Sequence, residues 1–328
     1  MTGNQRRHQA GEVESGTRGR GRAAVLGVGG LGSHLVGLLA ADGWEVLAVD
    51  LRTGFSADVP AGARTALADV RDSDELSALF QSFRPDVVVN TAAVSADTAR
   101  RLPTLAVDVN VLGAASAARA AVRSGTRLFA LVSCASVYGS ELAAGPDELV
   151  PPVPLDLHAG SKAAAESVSA AVARQGEMRH LVVRLPALYG ERERTPDTIG
   201  WALWRAARDA STNRIAAVPV PDAGELEILH AVDAARALGL LVQTSVPLPQ
   251  VVNIGAGRTW DARELVDAAG QAFPDTQWVE QPWQNVGVGK PLDIDLLRNL
   301  VGFEATVSLV DGLRSLGVAA RSGGNTPH

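Results

Sequence analysis

The amino-acid sequence predicts an α/β protein built on a doubly wound parallel sheet, with a small C-terminal cap that binds substrate. Short apolar runs such as AAVLG, EVLAVD and DVVVN alternate with segments of helical period. Nearly continuous apolar strands separated by helices are typical of a parallel sheet that is covered on both faces. After Tyr189 this rhythm loosens into proline-containing loops and short helices, which indicates a smaller unit at the end of the sheet.

Each element follows from one of two patterns. Short runs rich in Val, Leu and Ala predict strands, and longer stretches with apolar residues three and four positions apart predict helices. In chain order these are strand AAVLG, helix LGSHLVGLLAADG, strand EVLAVD, helix DELSALFQSF, strand DVVVN, helix DVNVLGAASAARAAVRSG, strand LFALVS, helix SKAAAESVSAAVARQG and strand HLVVRLP. Beyond Tyr189 the same patterns predict strand VVNIGAG and helices ARELVDAAGQAF and VSLVDGLRSL.

The composition also indicates the domain limits. Residues 1–21 are polar and rich in Gly and Arg, which predicts a disordered N-terminal tail. We expect a nucleotide-binding domain over residues 22–190. Residues 191–318 should form mainly the cap, with segments that return to the first domain, and residues 319–328 a flexible C-terminal tail.

Composition and charge exclude several functional classes. No run approaches the roughly 18 consecutive apolar residues of a membrane span, and the N-terminus lacks the apolar stretch of a secretory signal. We therefore expect a cytoplasmic protein with no membrane partner. Cys134 is the only cysteine, which excludes internal disulfides, and no metal site is expected. The net charge of −6 offers no general attraction for nucleic acid.

A glycine-rich turn follows the first predicted strand. Gly27, Gly29 and Gly32 have G-x-G-x-x-G spacing, with Gly30 and Leu31 between them, and a helix begins there. In a Rossmann domain the first glycine permits the tight turn, the second lets a pyrophosphate approach the backbone, and the third permits close helix packing. The N–H groups at the start of the helix would bind the phosphates.

An acidic residue closes the second strand. Asp50 lies eighteen residues beyond Gly32, close to the spacing of about 20 expected for a carboxylate that binds a ribose diol. A carboxylate there would repel a 2′-phosphate, so NAD is the preferred cofactor over NADP. Arg52, two positions on, leaves NADP as an alternative.

Beyond this turn the chain resembles the extended short-chain dehydrogenase/reductase family, which includes NAD-dependent nucleotide-sugar epimerases and dehydratases. The resemblance extends from about Arg22 to about Leu316. Its landmarks, in order, are the glycine turn, ADVRD, PDVVVNTAAV, DVNVLG, SCASVYG, HAGSK, RLPALYG, HAVDAARA and VVNIGAG. The resemblance implies further cofactor contacts beside adenine or along the cleft, namely Asp69, Val70, Ala92, Ala93, Asn110, Lys162 and Pro186.

The same resemblance locates three catalytic positions, two of which carry unusual residues. In the family a Ser or Thr polarises the substrate oxygen, a Tyr exchanges the proton, and a Lys four residues later holds the nicotinamide ribose. The corresponding residues of this chain are Cys134, His158 and Lys162. Ser136, two residues along the same strand face, is a second candidate for the oxygen partner.

A histidine can still perform the proton transfer. Residues four apart on a helix share a face, so His158 and Lys162 should point into the same cleft. An imidazole titrates near 6.5, and the adjacent lysine would lower its pKa further, so we expect a neutral base. Cys134 is a weak hydrogen-bond donor and could equally be a small core residue.

The substrate side differs from the nucleotide-sugar pattern. Ala187 and Leu226 stand where relatives commonly carry an Asn and an Arg for a diphosphate. A buried diphosphate without matched donors would be costly, so we expect a smaller or less charged substrate. Trp201, Trp204 and Trp283 could contact it or could fill the core of the cap.

Three functions remain open from the sequence. The first is an NAD-dependent enzyme that acts on a hydroxyl or ketone of a small polar, non-nucleotide metabolite, with His158 as acid and base. The second is an elimination, epimerisation or cyclisation without net redox change. The third is a catalytically silent NAD-binding or partner protein. We also expect a homodimer, because the Ala-rich helices around residues 106–122 and 161–174 correspond to the pair through which related proteins associate.

Overall fold

The computed structural model describes residues 20–139, 144–193, 195–283 and 289–322. Its strands are β1 (Arg22–Leu26), β2 (Glu45–Asp50), β3 (Arg64–Leu67), β4 (Val87–Asn90), β5 (Leu128–Cys134), β6 (Arg179–Leu185), β7 (Ala187–Tyr189), β8 (Ile215–Pro221), β9 (Ile228–His230), β10 (Val251–Asn253) and β11 (Gln277–Trp283). The main sheet has the order β10-β6-β5-β4-β1-β2-β3, and each of its pairs is parallel. This confirms the predicted α/β fold.

The helices cover both faces of the main sheet. They are α1 (Gly30–Ala41), α2 (Ser73–Phe83), α3 (Ala96–Arg101), α4 (Pro103–Ala106), α5 (Gly113–Ser124), α6 (Leu157–Gln175), α7 (Ile199–Thr212), α8 (Ala231–Gln243), α9 (Ala262–Ala272), α10 (Asp295–Val301) and α11 (Leu309–Arg321). Alternate residues of β1 point into two cores. Ala23 and Val25 pack with α1 and α8, whereas Ala24 and Leu26 pack with α2, α5 and α6.

The residues after Tyr189 build a third core. It contains α7, α9 and α11 together with the parallel pair β8 and β11. Trp201 and Trp204 stack inside it with ring centroids 4.7 Å apart, so these two tryptophans fill the core of this unit. In contrast, β10 returns to the main sheet beside β6. The division near residue 190 into a nucleotide-binding domain and a cap stays a prediction.

Two ends of the chain were predicted to lack structure. Most of the predicted N-terminal tail, residues 1–19, lies outside the described residues, as do residues 323–328. Helix α11 continues to Arg321, three residues into the segment predicted as a flexible tail. The reason is that Ala320 still packs against the third core.

One helical stretch among the described residues meets the length and composition of a membrane span. It extends over Pro103–Ser124, through α4, a π-helical segment at Val107–Leu112, and α5. Its window is 44% buried inside the protein, and Ala114, Ala117 and Ala121 lie in the core against α2 and α6. A buried core helix passes the same test, so this single stretch is weak evidence for a membrane.

Candidate active site

The glycine turn has the geometry that its sequence predicts. Gly27 has φ +84°, a left-handed conformation that favours glycine, and a Cβ there would lie 2.7 Å from the Ala92 nitrogen. A Cβ on Gly32 would overlap the carbonyl oxygen of Gly27. Thr91 closes the turn by donating its hydroxyl to the Gly27 oxygen at 2.6 Å. The turn and the start of α1 are therefore packed as closely as a dinucleotide motif requires.

The first turn of α1 opens onto space beside Gly29. Gly29 is its N-cap residue and supplies no side-chain cap, so the amides of Gly30 and Leu31 have no such partner. Apart from Gly29 itself and its neighbours in the chain, no described atom lies within 4 Å of the place where a Gly29 Cβ would be. This open space beside the N-terminal end of α1 fits a pyrophosphate. A Cβ on Gly30 would lie 3.6 Å from the Arg192 carbonyl oxygen.

At the adenosine end, Asp50 lies at the end of β2 and is paired with Arg52. The Val28 amide donates to Asp50 Oδ2 at 2.7 Å, and Arg52 donates from its backbone nitrogen at 2.9 Å and from its guanidinium at 3.1 Å. Burial alone would raise the pKa of Asp50, but the bonds from Arg52 and Val28 hold it below its usual value. Asp69, at the next strand end, is paired with Arg71 in the same way. Val70, the residue after Asp69, packs against Gly113 of α5, where an added Cβ would lie 2.8 Å from the Val70 side chain.

A cavity of about 1000 Å³ lies at the carboxyl ends of the sheet strands, between the sheet and the third core. The strand order reverses between β1 and β4, the place where open α/β sheets bind ligands. Ala93, Pro186, Ala187, Leu226 and Trp283 contribute apolar wall. The polar lining comes from Thr91, Ser95, Asp97, Arg100, Ser133, Ser136, Asp156, His158, Lys162, Glu193, Thr195, Asp197, Thr198, Glu227 and Gln281.

His158 lies in the first turn of α6 and lines this cavity. Asp156 caps the helix by accepting from the Ala159 amide at 2.8 Å, which holds the turn that carries the histidine. Nδ1 of the ring is buried and has no hydrogen-bond partner among the residues that the structure describes. Burial and then the charge of Lys162 lower the pKa of His158 to about 4, while Asp156 and a hydrogen bond with the Val94 backbone oppose them. The ring is therefore neutral at physiological pH.

Asn110 positions this helix from behind the cavity wall. Its side chain is buried, donates to Ser161 Oγ at 2.8 Å and accepts from the Val94 amide at 3.0 Å. Ser161 in turn donates to the His158 carbonyl oxygen at 2.8 Å. Asn110 does not line the cavity, so the structure places it as a support for the His158 turn. A direct cofactor contact for Asn110 stays a prediction.

Lys162 lies one helical turn after His158 and also lines the cavity, with 4% of its surface exposed. Burial lowers the pKa of its ammonium group, and the nearby Cys134 and Glu166 oppose that shift. Glu166, a further turn along α6, accepts from Ser133 at 2.5 Å. A nicotinamide ribose hydroxyl is the kind of partner that a buried ammonium group in this cleft can bind.

The two candidates for the oxygen partner are adjacent. Ser136 Oγ and Cys134 Sγ are 2.9 Å apart, and Ser136 lines the cavity whereas Cys134 does not. Burial raises the pKa of the Cys134 thiol, which keeps it protonated. The structure thus brings Ser136, His158 and Lys162 to one cavity and leaves Cys134 beside it. Ala92 stays near the glycine turn, where its amide donates to Asn90.

Sequence reasoning missed several polar residues of this region. Glu227 is buried and accepts from the amides of Ala256, Gly257 and Leu292 at 2.8 to 3.2 Å. Burial raises the pKa of Glu227 to about 7. Its only signal was a carboxylate inside the apolar run LEILH. Glu166 could have been found, since its spacing of four from Lys162 continues the His158–Lys162 face.

Comparisons with known structures agree with this fold. UDP-glucose 4-epimerase from Thermotoga maritima, solved with UDP-glucose, aligns with a TM-score of 0.80 at 23% identity over 92% of this chain and 99% of that chain. UDP-glucose 4-epimerase from Thermus thermophilus, in complex with NAD, aligns with a TM-score of 0.79 at 24% identity, over 92% and 99%. DesIV, a dTDP-glucose 4,6-dehydratase from Streptomyces venezuelae solved with NAD, aligns with a TM-score of 0.77 at 24% identity, over 92% and 97%.

At the sequence level, no curated protein matches this chain. The model of the NAD dependent epimerase/dehydratase family matches residues 23–255, which is more than half of the chain. This match covers the glycine turn, the His158 helix and the strand that ends at Asn253, and it confirms the resemblance inferred from the motifs. The chain therefore belongs to the NAD dependent epimerase/dehydratase family, whose members are enzymes that use NAD.

Proposed function

We propose that the protein is an NAD-dependent enzyme that acts on a hydroxyl or ketone of a small polar metabolite, with His158 as acid and base. One observation carries this proposal: the His158 ring lines the cavity one helical turn from the buried Lys162, and no described residue forms a hydrogen bond with its Nδ1. A neutral imidazole nitrogen in that place can accept the proton of a substrate hydroxyl.

The proton and the hydride take separate routes. In the oxidation of an alcohol to a ketone, the ring of His158 accepts the hydroxyl proton, and NAD, when bound in the cleft, would supply the hydride acceptor. Lys162 points into the same cleft, where its amino group would bind the nicotinamide ribose. Burial and the neighbouring Lys162 both lower the pKa of the His158 ring, so the protonated ring returns its proton readily.

Ser136 is the better candidate for the oxygen partner. Its hydroxyl faces the cavity and is a stronger donor than the thiol of Cys134. Cys134, 2.9 Å away, supports Ser136 from behind. This assignment keeps one donor at the substrate oxygen although the family's hydroxyl position carries a thiol.

The charge of the cavity favours a substrate with little negative charge. The carboxylates that line it are Asp97, Asp156, Glu193 and Asp197, together with Glu227, whose pKa burial raises to about 7. The cationic side chains among the described lining residues are Arg100, which is paired with Asp97, and the buried Lys162. Ala187 and Leu226, at the positions of the family's diphosphate ligands, both form apolar wall. We therefore propose a sugar-like or biosynthetic metabolite without a nucleoside diphosphate.

The test is a substrate screen with two histidine variants. Wild type, His158→Ala and His180→Ala are incubated with NAD and neutral polyols, or with reduced cofactor and the matching ketones, while nicotinamide absorbance and product are followed. We expect turnover that falls strongly in His158→Ala and persists in His180→Ala. Equal rates in wild type and His158→Ala would remove His158 from the mechanism.

The same screen separates the other two functions. Product formation that continues after the bound cofactor is stripped would indicate an elimination, epimerisation or cyclisation that needs no redox step. UDP-sugars are included as substrates, because preferred turnover of a UDP-sugar would contradict the charge argument. Binding of NAD without any turnover would favour a silent NAD-binding protein.

A further inference from the structure

A second cavity lies at the opposite end of the main sheet from the active site. Its volume is about 300 Å³. Most of its wall comes from the amino ends of β5 and β6, the residues before β10 and the last two turns of α6. Because β6 has seven residues, about 20 Å separates this edge of the sheet from the active site. The residues that line the cavity are Leu128, Ala170, Arg174, Met178, Arg179, His180, Leu248 and Gln250.

The charge of this small cavity is opposite to that of the active site. Its cationic lining residues are Arg174 and Arg179, and none of the described residues that line it carries a carboxylate. Glu177 lies between the two arginines in the chain but does not contribute to the lining. The active-site cavity, in contrast, is lined mainly by carboxylates. The small cavity therefore favours an anion although the net charge of the chain is −6.

The two guanidinium groups are available to a ligand. Both side chains are exposed, and neither forms a hydrogen bond or an ion pair with any other residue that the structure describes. The backbone fixes their places, because Arg174 belongs to α6 and the Arg179 amide, at the start of β6, donates to the Arg127 carbonyl oxygen at 3.2 Å. A guanidinium group presents paired N–H donors that match the oxygens of phosphate or carboxylate groups.

His180 adds an acceptor to these donors. Ser169 Oγ donates to the Ala165 carbonyl oxygen at 2.6 Å and lies 2.9 Å from His180 Nε2. Since Ser169 has only one hydroxyl proton, the proton of the second contact belongs to Nε2 of the ring. Burial lowers the pKa of His180 to about 4, so the ring is neutral and its Nδ1 carries a lone pair. Nδ1 is buried with no hydrogen-bond partner in the described part of the chain, and it can accept only from a group that brings a proton.

Two donors of positive charge and one acceptor together define the ligand. At neutral pH inorganic phosphate is an anion that keeps a P–O–H group, whereas sulfate and carboxylates have no proton to donate. We propose that this cavity is a binding site for a hydrogen phosphate group, with Arg174 and Arg179 binding the anionic oxygens and His180 Nδ1 accepting from the P–O–H. The group comes from free phosphate or from a phosphate monoester.

Calorimetric titration of the full chain with sodium phosphate tests the proposal. Saturating NAD is present, so that phosphate does not bind at the glycine turn instead. We expect wild type to bind phosphate with a dissociation constant below about 1 mM, and sulfate at least about tenfold more weakly. Arg174→Leu and Arg179→Leu should each weaken phosphate binding roughly tenfold or more, the size expected for charge-assisted hydrogen bonds.

Arg127→Leu is the matched control. Arg127 is exposed at the same edge of the sheet, directly before β5, but it does not line the cavity. Its replacement removes the same charge and should change phosphate affinity by less than about twofold. The NAD affinity of each variant should equal that of wild type, which shows that the variants are folded. Arg174→Lys keeps the charge without the planar fork and should give an intermediate phosphate affinity.

Three outcomes would overturn the proposal. They are no saturable phosphate binding up to about 10 mM, equal affinities for phosphate and sulfate, and equal losses in Arg127→Leu and the two cavity variants. Methyl phosphate at pH 6, where part of the monoester keeps its proton, separates the two sources of the ligand. If it binds, the site accepts esterified phosphate, and if orthophosphate alone binds, the ligand is free phosphate. The two cavities are separate, so the result is independent of the proposed proton transfer.

Discussion

Glu166 and Arg184 form a bidentate ion pair inside the protein, with Nε–Oε1 3.1 Å and Nη2–Oε2 2.6 Å. Glu166 belongs to α6, one turn beyond Lys162, and Arg184 belongs to β6. The guanidinium of Arg184 also lies over the ring of Tyr138, 4.6 Å from its centroid. The pair therefore joins the helix that carries the proposed catalytic residues to β6 of the main sheet.

Removing one partner of this pair should be strongly destabilising. In Glu166→Ala, Arg184 would remain buried with its charge uncompensated, so we expect the free energy of unfolding to fall by about 3–5 kcal/mol. Urea unfolding measures the change. Asp209→Ala, which breaks the exposed pair with Arg208, is the control and should cost less than about 1 kcal/mol. Equal losses in the two variants would mean that the buried pair contributes no more than a surface contact.

The pH profile should identify His158 as a base of low pKa. Burial and Lys162 lower the pKa of this ring to about 4, and the neutral ring is the form that accepts a proton. We therefore expect kcat/KM to be flat above about pH 5 and to fall below it, as the ring gains a proton. The measurement is kcat/KM of the reaction found in the substrate screen, across acid and neutral pH.

His180 provides the control for that profile. Burial lowers the pKa of His180 to about 4 as well, but this residue lines a separate small cavity with Arg174 and Gln250. His180→Asn should leave the acidic limb of the profile where it is. The assignment to His158 would be contradicted if kcat/KM of the wild type began to fall near pH 6.5, or if the pH of this fall changed in His180→Asn.

The sequence predicted the fold well because the relevant signals are local. The apolar run of β1 indicates a strand in a sheet that is covered on both faces. The spacing of Gly27, Gly29 and Gly32 is typical of a tight turn packed on a helix. The shared face of His158 and Lys162 follows from helical period alone. Each of these inferences depends on residues within one strand, turn or helix.

The rest of the site depends on distant segments, which no local pattern reveals. Asp97 at the start of α3 and Glu227 before β9 meet across one cavity although 130 residues separate them. The position of Asn110 also depends on distant segments, although its motif predicts a cofactor contact. Its bonds to Val94 and Ser161 show a supporting position that only the tertiary structure could establish.

We propose a homodimer that forms through α6 and the continuous helical stretch Pro103–Ser124, which ends in α5. Leu112, Leu157 and Val168 on these helices are large apolar side chains with 37% or more of their surface exposed. A lysine in an apolar interface would be buried without a partner, so Leu112→Lys should convert a dimer to a monomer. Light scattering measures the mass. Leu149→Lys, in an exposed loop outside the helices, should leave the dimer intact, and a monomeric wild type would refute the proposal.

The adjacent Cys134 and Ser136 can be separated by their effects on kcat. If Ser136 donates to the substrate oxygen, Ser136→Ala removes a hydrogen bond that strengthens in the transition state, and kcat should fall roughly 100- to 1,000-fold with little change in KM. Cys134→Ala removes only the support behind Ser136, so its loss should be much smaller. Cys134→Ser places a hydroxyl at the position used by the family and should keep or raise kcat, because a hydroxyl donates more strongly than a thiol. The assignment is reversed if Cys134→Ala loses the larger part of the activity, since the sulfur would then be the group that contacts the reacting oxygen.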